Sequence, residues 1–212
     1  MTGGPLGNPY VGLRPFFTED SRVFFGRDEQ VSELLEILHR HRFLPVVGGS
    51  GSGKSSLVRA GLIPKLRAGF LVGDRDRWLV ATCRPGSAPI LNFATELAGA
   101  LGAPEALAGE EGLEASLRIS LASGALEFIA QHLAANTSLL ILVDQFEELF
   151  AFRGSAADDE AETIPTDTRD WRRGPPGDAT LRAKHRAEAA DFVDLLLGVA
   201  KDRDLPVFVA LT

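Results

Sequence analysis

Cysteine is nearly absent: Cys83 is the single one in 212 residues. That excludes an internal disulfide framework and a cysteine-rich zinc site, and it fits a reducing compartment. Long apolar runs are missing too. The clearest, Leu139 to Val143, is far too short to span a bilayer, and Met1 to Pro9 lack the cationic and apolar parts of a secretion signal. Basic charge is in deficit, with 22 Lys and Arg against 29 Asp and Glu for a net charge of −7. This argues against a general nucleic-acid or anionic-membrane binder. His39, His41, His132 and His185 show no metal-ligand spacing with one another or with Cys83. No Ser-His-Asp arrangement can be argued from spacing. The expectation is a soluble, cytoplasmic protein. Apolar residues at 45% and charged residues at 24% are ordinary for a globular domain, and a chain this long buries a core unaided. Lysine is scarce as well, with only 4 residues. Yet one of them, Lys54, sits inside the densest glycine cluster.

Residues 1–17 read as an irregular arm, with Pro5, Pro9 and Pro15 among glycines. Phe16, Phe17, Phe24 and Phe25 are too many rings for a solvated tail, so the arm's end is expected to pack on a core spanning 18–212. Asp28 and Glu29 open a helix with apolar spacing Val31, Leu34, Leu35, Leu38. Phe43 to Val47 is a short buried strand. Ser55 to Leu66 is a helix in which Pro64 must sit at a bend or an end. Trp78 to Cys83, Leu139 to Val143 and Leu205 to Leu211 are three further strands. Helices are expected over Ile90 to Leu101, over Glu114 to Ala135 with a break near Ser123-Gly124, and over Leu181 to Val199. Residues 153–180 hold few apolar groups and read as an exposed or disordered insertion. The alternation of short apolar strands with helices predicts an α/β fold whose parallel sheet is covered on both faces.

The glycine cluster carries the chemistry. Gly48-Gly49-Ser50-Gly51-Ser52-Gly53-Lys54-Ser55 matches G-x-x-x-x-G-K-[ST] in full, between an apolar strand and an amphipathic helix. Glycines let the backbone fold into a nest whose N–H groups face phosphate oxygens, and the helix adds its positive end. Lys54 would reach the β- and γ-phosphates, the Ser55 hydroxyl would ligate Mg²⁺, and Ser56 would add a phosphate contact. Such a loop needs a carboxylate from a neighbouring strand to hold Mg²⁺ through water. Asp144, at the end of Ser138 to Val143, supplies it. Glu147 and Glu148 follow at the start of the next helix. Either could polarise an attacking water as general base, or merely complement the helix dipole.

These residues together resemble one family. Pro9-Tyr10-Val11-Gly12-Leu13-Arg14-Pro15-Phe16 followed by Phe24-Phe25-Gly26-Arg27 is similar to the opening segment of STAND NTPases, the signal-transduction ATPases with numerous domains. Within them it looks like the novel STAND type-one domain, often found beside WD-type repeats in multidomain bacterial proteins. Gly51 to Leu62 is the matching phosphate loop and helix. Asp144-Gln145-Phe146-Glu147-Glu148-Leu149-Phe150 is the matching second acidic motif, and Trp78 with Arg84-Pro85-Gly86 fits between them. The resemblance implies a P-loop NTPase three-layer sandwich of the ASCE/STAND type. It also implies an ATP/ADP switch that oligomerises with the nucleotide state and so brings fused effector domains or protein partners together. Phe25, Gly26 and Arg27 would lie by the adenine. Many hydrolysing relatives carry Glu directly after the metal Asp, where Gln145 stands here, so weak ATPase activity is expected. A family member would continue past Thr212 with a further strand and a winged-helix region, so the chain reads as the nucleotide-binding portion of a larger switch. Two alternatives stay open: a P-loop kinase acting on a small molecule, and a non-hydrolysing nucleotide-bound scaffold.

Overall fold

The computed structural model describes residues 12, 14–69, 77–108, 112, 116, 119–151 and 177–212. Four strands, β1 (Phe43–Pro45), β2 (Arg77–Cys83), β3 (Thr137–Val143) and β4 (Val207–Leu211), form one all-parallel sheet in the order β1-β4-β3-β2. The most apolar strand, β3, is central and buried at every residue. A parallel strand covered on both faces has no solvent side, so its sequence runs apolar rather than alternating.

The strand side chains divide between two cores by the period of two. Leu139, Ile141 and Val143 of β3 join Ala81, Cys83, Val207 and Val209 on one face. Three helices cover that face: α3 (Pro89–Ala100), α4 (Ala122–His132) and α6 (Gly177–Lys201). On the other face Leu140 and Leu142 meet Leu44, Trp78 and Ala210 beneath α1 (Asp28–His41) and α2. Helix α2 is continuous through Lys54–Ser56, Leu57–Leu62 and Ile63–Arg67. A short helix α5 (Glu148–Ala151) follows β3. Helices on both faces of the sheet make the three-layer α/β architecture of P-loop NTPases.

Several boundaries differ from expectation for identifiable reasons. Strand β1 stops at Pro45: Val46 still donates its N–H to Leu211 (2.8 Å), but Val47 is 91% exposed as the chain peels away into the loop. Pro64 does not end α2, which continues to Arg67. Over Leu57–Leu62 the backbone bonds run one residue wider, as in Ile63 N–H to the Val58 carbonyl. The widened turn accommodates a ring that would otherwise crowd the carbonyl four residues back. The break before α4 falls at Leu121, whose backbone is extended, so Ser123-Gly124 lie inside the helix, and α4 ends at His132 rather than Ala135. Helix α6 begins at Gly177, inside the expected insertion; residues 153–176 lie outside the described residues. Phe16 and Phe24 do pack (ring centroids 5.6 Å apart), whereas Phe25 is 73% exposed.

Candidate functional site

The site lies where three strands end side by side. In the sheet register Cys83 pairs with Val143, and Val143 pairs with Leu211. The next residues, Arg84, Asp144 and Thr212, therefore emerge in a row, and backbone bonds continue past the strands. Asp144 N–H donates to the Cys83 carbonyl (2.9 Å), and Thr212 N–H donates to that of Val143 (3.0 Å). The carboxyl ends of parallel strands are where open α/β sheets place their ligands.

Asp144 is the hub. Its carboxylate is buried, and its Oδ1 accepts hydrogen bonds from Ser55 Oγ (2.8 Å) and Thr212 Oγ1 (2.6 Å). Arg59 Nη2 donates to Oδ2 at 2.7 Å, while Arg84 Nη2 stands 3.9 Å from the same oxygen. Burial alone would push the Asp144 carboxyl up. The Thr212 and Ser55 hydroxyls and the Arg59 guanidinium outweigh it and hold the group below its ordinary value. Asp144 is thus ionised throughout the neutral range.

The loop of residues 48–53 joins β1 to α2. Gly51 and Gly53 adopt φ of 75° and 87°, the left-handed region that a side chain resists. At Gly48 an added Cβ would come within 2.9 Å of Ser52 Oγ. Lys54 Nζ donates to the carbonyls of Gly48 (3.0 Å) and Gly49 (3.4 Å), so the ammonium is folded over the loop. A cleft of about 480 Å³ opens above it, lined by Ser50, Gly51, Gly53, Lys54, Ser55 and Ser56 together with Asp144, Gln145, Glu147, Arg84 and Thr212. Gly12, Arg14, Pro15 and Phe16 of the arm close the other side.

The remaining expected residues divide. Glu147 is exposed and lines the cleft. Glu148 turns away and accepts the Gly86 N–H at 3.2 Å. Gln145 lines the cleft with φ at 59°. The Ser56 hydroxyl accepts the Phe16 N–H (3.0 Å), which pins the arm to α2. Phe25, Gly26 and Arg27 are exposed and are not among the residues that line the cleft.

Sequence reasoning missed Arg59, Arg84 and Thr212 as site residues. Arg59 was legible as the residue four beyond Ser55, on the same helix face. Arg84 and Thr212 share a subtler signal with Asp144: each is the first polar residue after an apolar strand.

The fold is thus a three-layer α/β sheet with a glycine-rich loop at the carboxyl end of its first strand, the architecture of a P-loop NTPase. The chain belongs to the Novel STAND NTPase 1 family, which it matches over residues 9–212. Neither curated proteins nor solved structures give a match. No helix among the described residues is long and apolar enough to cross a membrane.

Proposed function

We propose that this domain binds ATP and ADP with Mg²⁺ on the loop of residues 48–56, hydrolyses ATP slowly, and serves as a nucleotide-controlled switch within a larger signalling protein. The observation that carries the reading is the Ser55–Asp144 hydrogen bond at the mouth of the loop. The Ser55 hydroxyl donates its hydrogen bond to the ionised carboxylate (2.8 Å), so its oxygen lone pairs are left available to a cation. A serine oxygen and a carboxylate are hard donors of the kind Mg²⁺ takes alongside phosphate and water oxygens. Among the described residues no group of three or more His, Cys, Asp and Glu could hold a metal by itself. When bound, Mg²⁺ would neutralise charge on the β- and γ-phosphates.

The chain's own groups supply the rest. Loop N–H groups and Lys54 bind phosphate oxygens. Asp144, kept ionised by its hydroxyl and guanidinium partners, fixes Ser55. Glu147 is the carboxylate in the cleft that is placed to orient water, while Glu148 braces the turn at Gly86. Gln145, standing where hydrolytic relatives carry an acid, can orient water but cannot accept its proton, which supports the slow turnover proposed. The Asp144 to Phe150 motif favours a switch over a small-molecule kinase.

Calorimetric titration of ATP, ADP and GTP with and without Mg²⁺ tests the reading. Lys54→Ala should abolish nucleotide binding while leaving the fold intact, and Asp144→Asn should weaken Mg²⁺-dependent binding more than Mg²⁺-free binding. Phosphate release that survives Lys54→Ala would overturn the loop assignment.

A further inference from the structure

We infer that Arg84 reads the third phosphate, so that this one side chain separates ATP from ADP; the inference rests on the nucleotide reading above. Its backbone is held from three directions. Cys83, just before it, accepts the Asp144 N–H (2.9 Å). The Arg84 and Pro85 carbonyls both accept from Asn92 Nδ2 (3.2 and 2.9 Å). Gly86 N–H donates to the half-buried Glu148 (3.2 Å). The side chain is not held in this way. It is 56% exposed, and among the described residues its ion partner is Asp144 at 3.9 Å, beyond hydrogen-bond length.

Position then selects the phosphate. In the order β1-β4-β3-β2, the loop leaves β1 while Arg84 leaves β2, the farthest strand, with Asp144 between them. A diphosphate seated on Lys54 and Ser55 stays on the β1 side. A third phosphate extends toward Asp144, into reach of a guanidinium anchored beyond it. The other guanidinium groups at the site are already committed: Arg59 bonds Asp144 at 2.7 Å and lies over the Phe17 ring, and Arg14, which also lines the cleft, bonds Asp20 at 2.6 and 3.0 Å. Arg84 also has room to move. It lines both the phosphate cleft and a neighbouring polar groove of about 550 Å³, with Thr82, Asn92 and Glu96. A guanidinium matches phosphate oxygens with paired donors, which a lysine cannot reproduce.

The test is titration of the full chain, in Mg²⁺, with ADP and with a non-hydrolysable ATP analogue, for wild type, Arg84→Ala and Arg84→Lys. Arg84→Ala should weaken the analogue about 10- to 100-fold, the range of a charge-assisted hydrogen bond, and change ADP by less than about threefold. Arg84→Lys should fall between, because charge remains and the fork is lost. An exposed side chain makes an unchanged circular dichroism spectrum the expected control. Equal weakening of both nucleotides, or of neither, would overturn the role of Arg84 while leaving nucleotide binding intact. Failure of the wild type to bind either nucleotide would overturn both readings.

Discussion

Removing Arg59 should cost the fold less than removing its partner, and the asymmetry can be worked out from their surroundings. Breaking a buried ion pair from one side costs about 3–5 kcal/mol, because the survivor is stranded. In Arg59→Leu the survivor is Asp144, which keeps two hydroxyl donors, Ser55 and Thr212. The change also removes Arg59 Nε, a buried nitrogen without a hydrogen-bond partner among the described residues, whose burial costs about 1–3 kcal/mol. Loss of the contact with Phe17 adds about 0.5–1 kcal/mol to the cost. The net loss is then about 2 kcal/mol. Asp144→Ala strands a guanidinium whose side chain is only 16% exposed and takes the acceptor from two hydroxyls at once, for a loss of about 4 kcal/mol. Urea unfolding reads both, with the buried Trp78 against Phe208 as the fluorescent probe. The acid limb gives a second readout. A carboxylate with a lowered folded pKa contributes stability above its unfolded value of about 3.9, and that stability is lost as pH falls through the folded value. Arg59→Leu weakens the lowering, so the acid-linked loss below about pH 4 should be smaller in the variant and complete at a higher pH than in the wild type. An Arg59→Leu loss equal to that of Asp144→Ala, or an acid limb that does not move, would refute the account.

Three further outcomes follow from particular contacts. Gly61→Ala would set a Cβ 2.5 Å from Val31 Cγ2 and 3.3 Å from a Phe24 ring carbon. It should cost about 1–3 kcal/mol in urea unfolding, and a neutral result would mean that α1 is free to shift. The Cys83 thiol, pushed up to about 12 mainly by burial and further by Glu96, should resist alkylation at pH 8 in the folded protein and react once urea unfolds it. Asp20, held down to about 2 by hydrogen bonds from the Arg14 guanidinium and the Phe17 N–H, keeps its charge to low pH. Nuclear magnetic resonance titration of Asp20 should lose that lowering in Arg14→Ala, and an unshifted titration would exclude the pair in solution.

What the sequence shows depends on whether a feature is local. The glycine-rich loop between β1 and α2 is legible because its glycines, lysine and serine lie within eight residues. Strand β3 is legible because a strand buried on both faces must be apolar throughout. The continuity of α2 through Pro64 was not legible: a proline reads as a breaker, and the wider turn that absorbs it is stabilised by the packing of Val58, Leu62 and Ile63 in the core. Phe25 read as a packed ring because its neighbour Phe24 is one. Yet Phe24 packs beside Gly61, 3.3 Å from where a Cβ would stand, whereas Phe25 is exposed to solvent. Arg84 and Thr212 stand 60 and 68 residues from Asp144 along the chain, and only strand order and register bring them to it. Even so, each follows an apolar strand directly, as Asp144 does.

That convergence makes the site and the fold one structure. The Asp144 carboxylate joins β3 to β4 through Thr212 and to α2 through Ser55 and Arg59. Its reach does not stop at the core. Phe17 stands between the guanidinium groups of Arg59 (5.2 Å) and Arg14 (5.6 Å), and the Thr18 hydroxyl donates to the Arg59 carbonyl (3.2 Å). The arm is therefore fastened to the same helical turn that neutralises the carboxylate. Arg59 cannot leave Asp144 without changing its contact with Phe17. The switch proposed above would need such a connection between its chemistry and a segment able to report it. Here a single side chain on α2 makes both contacts.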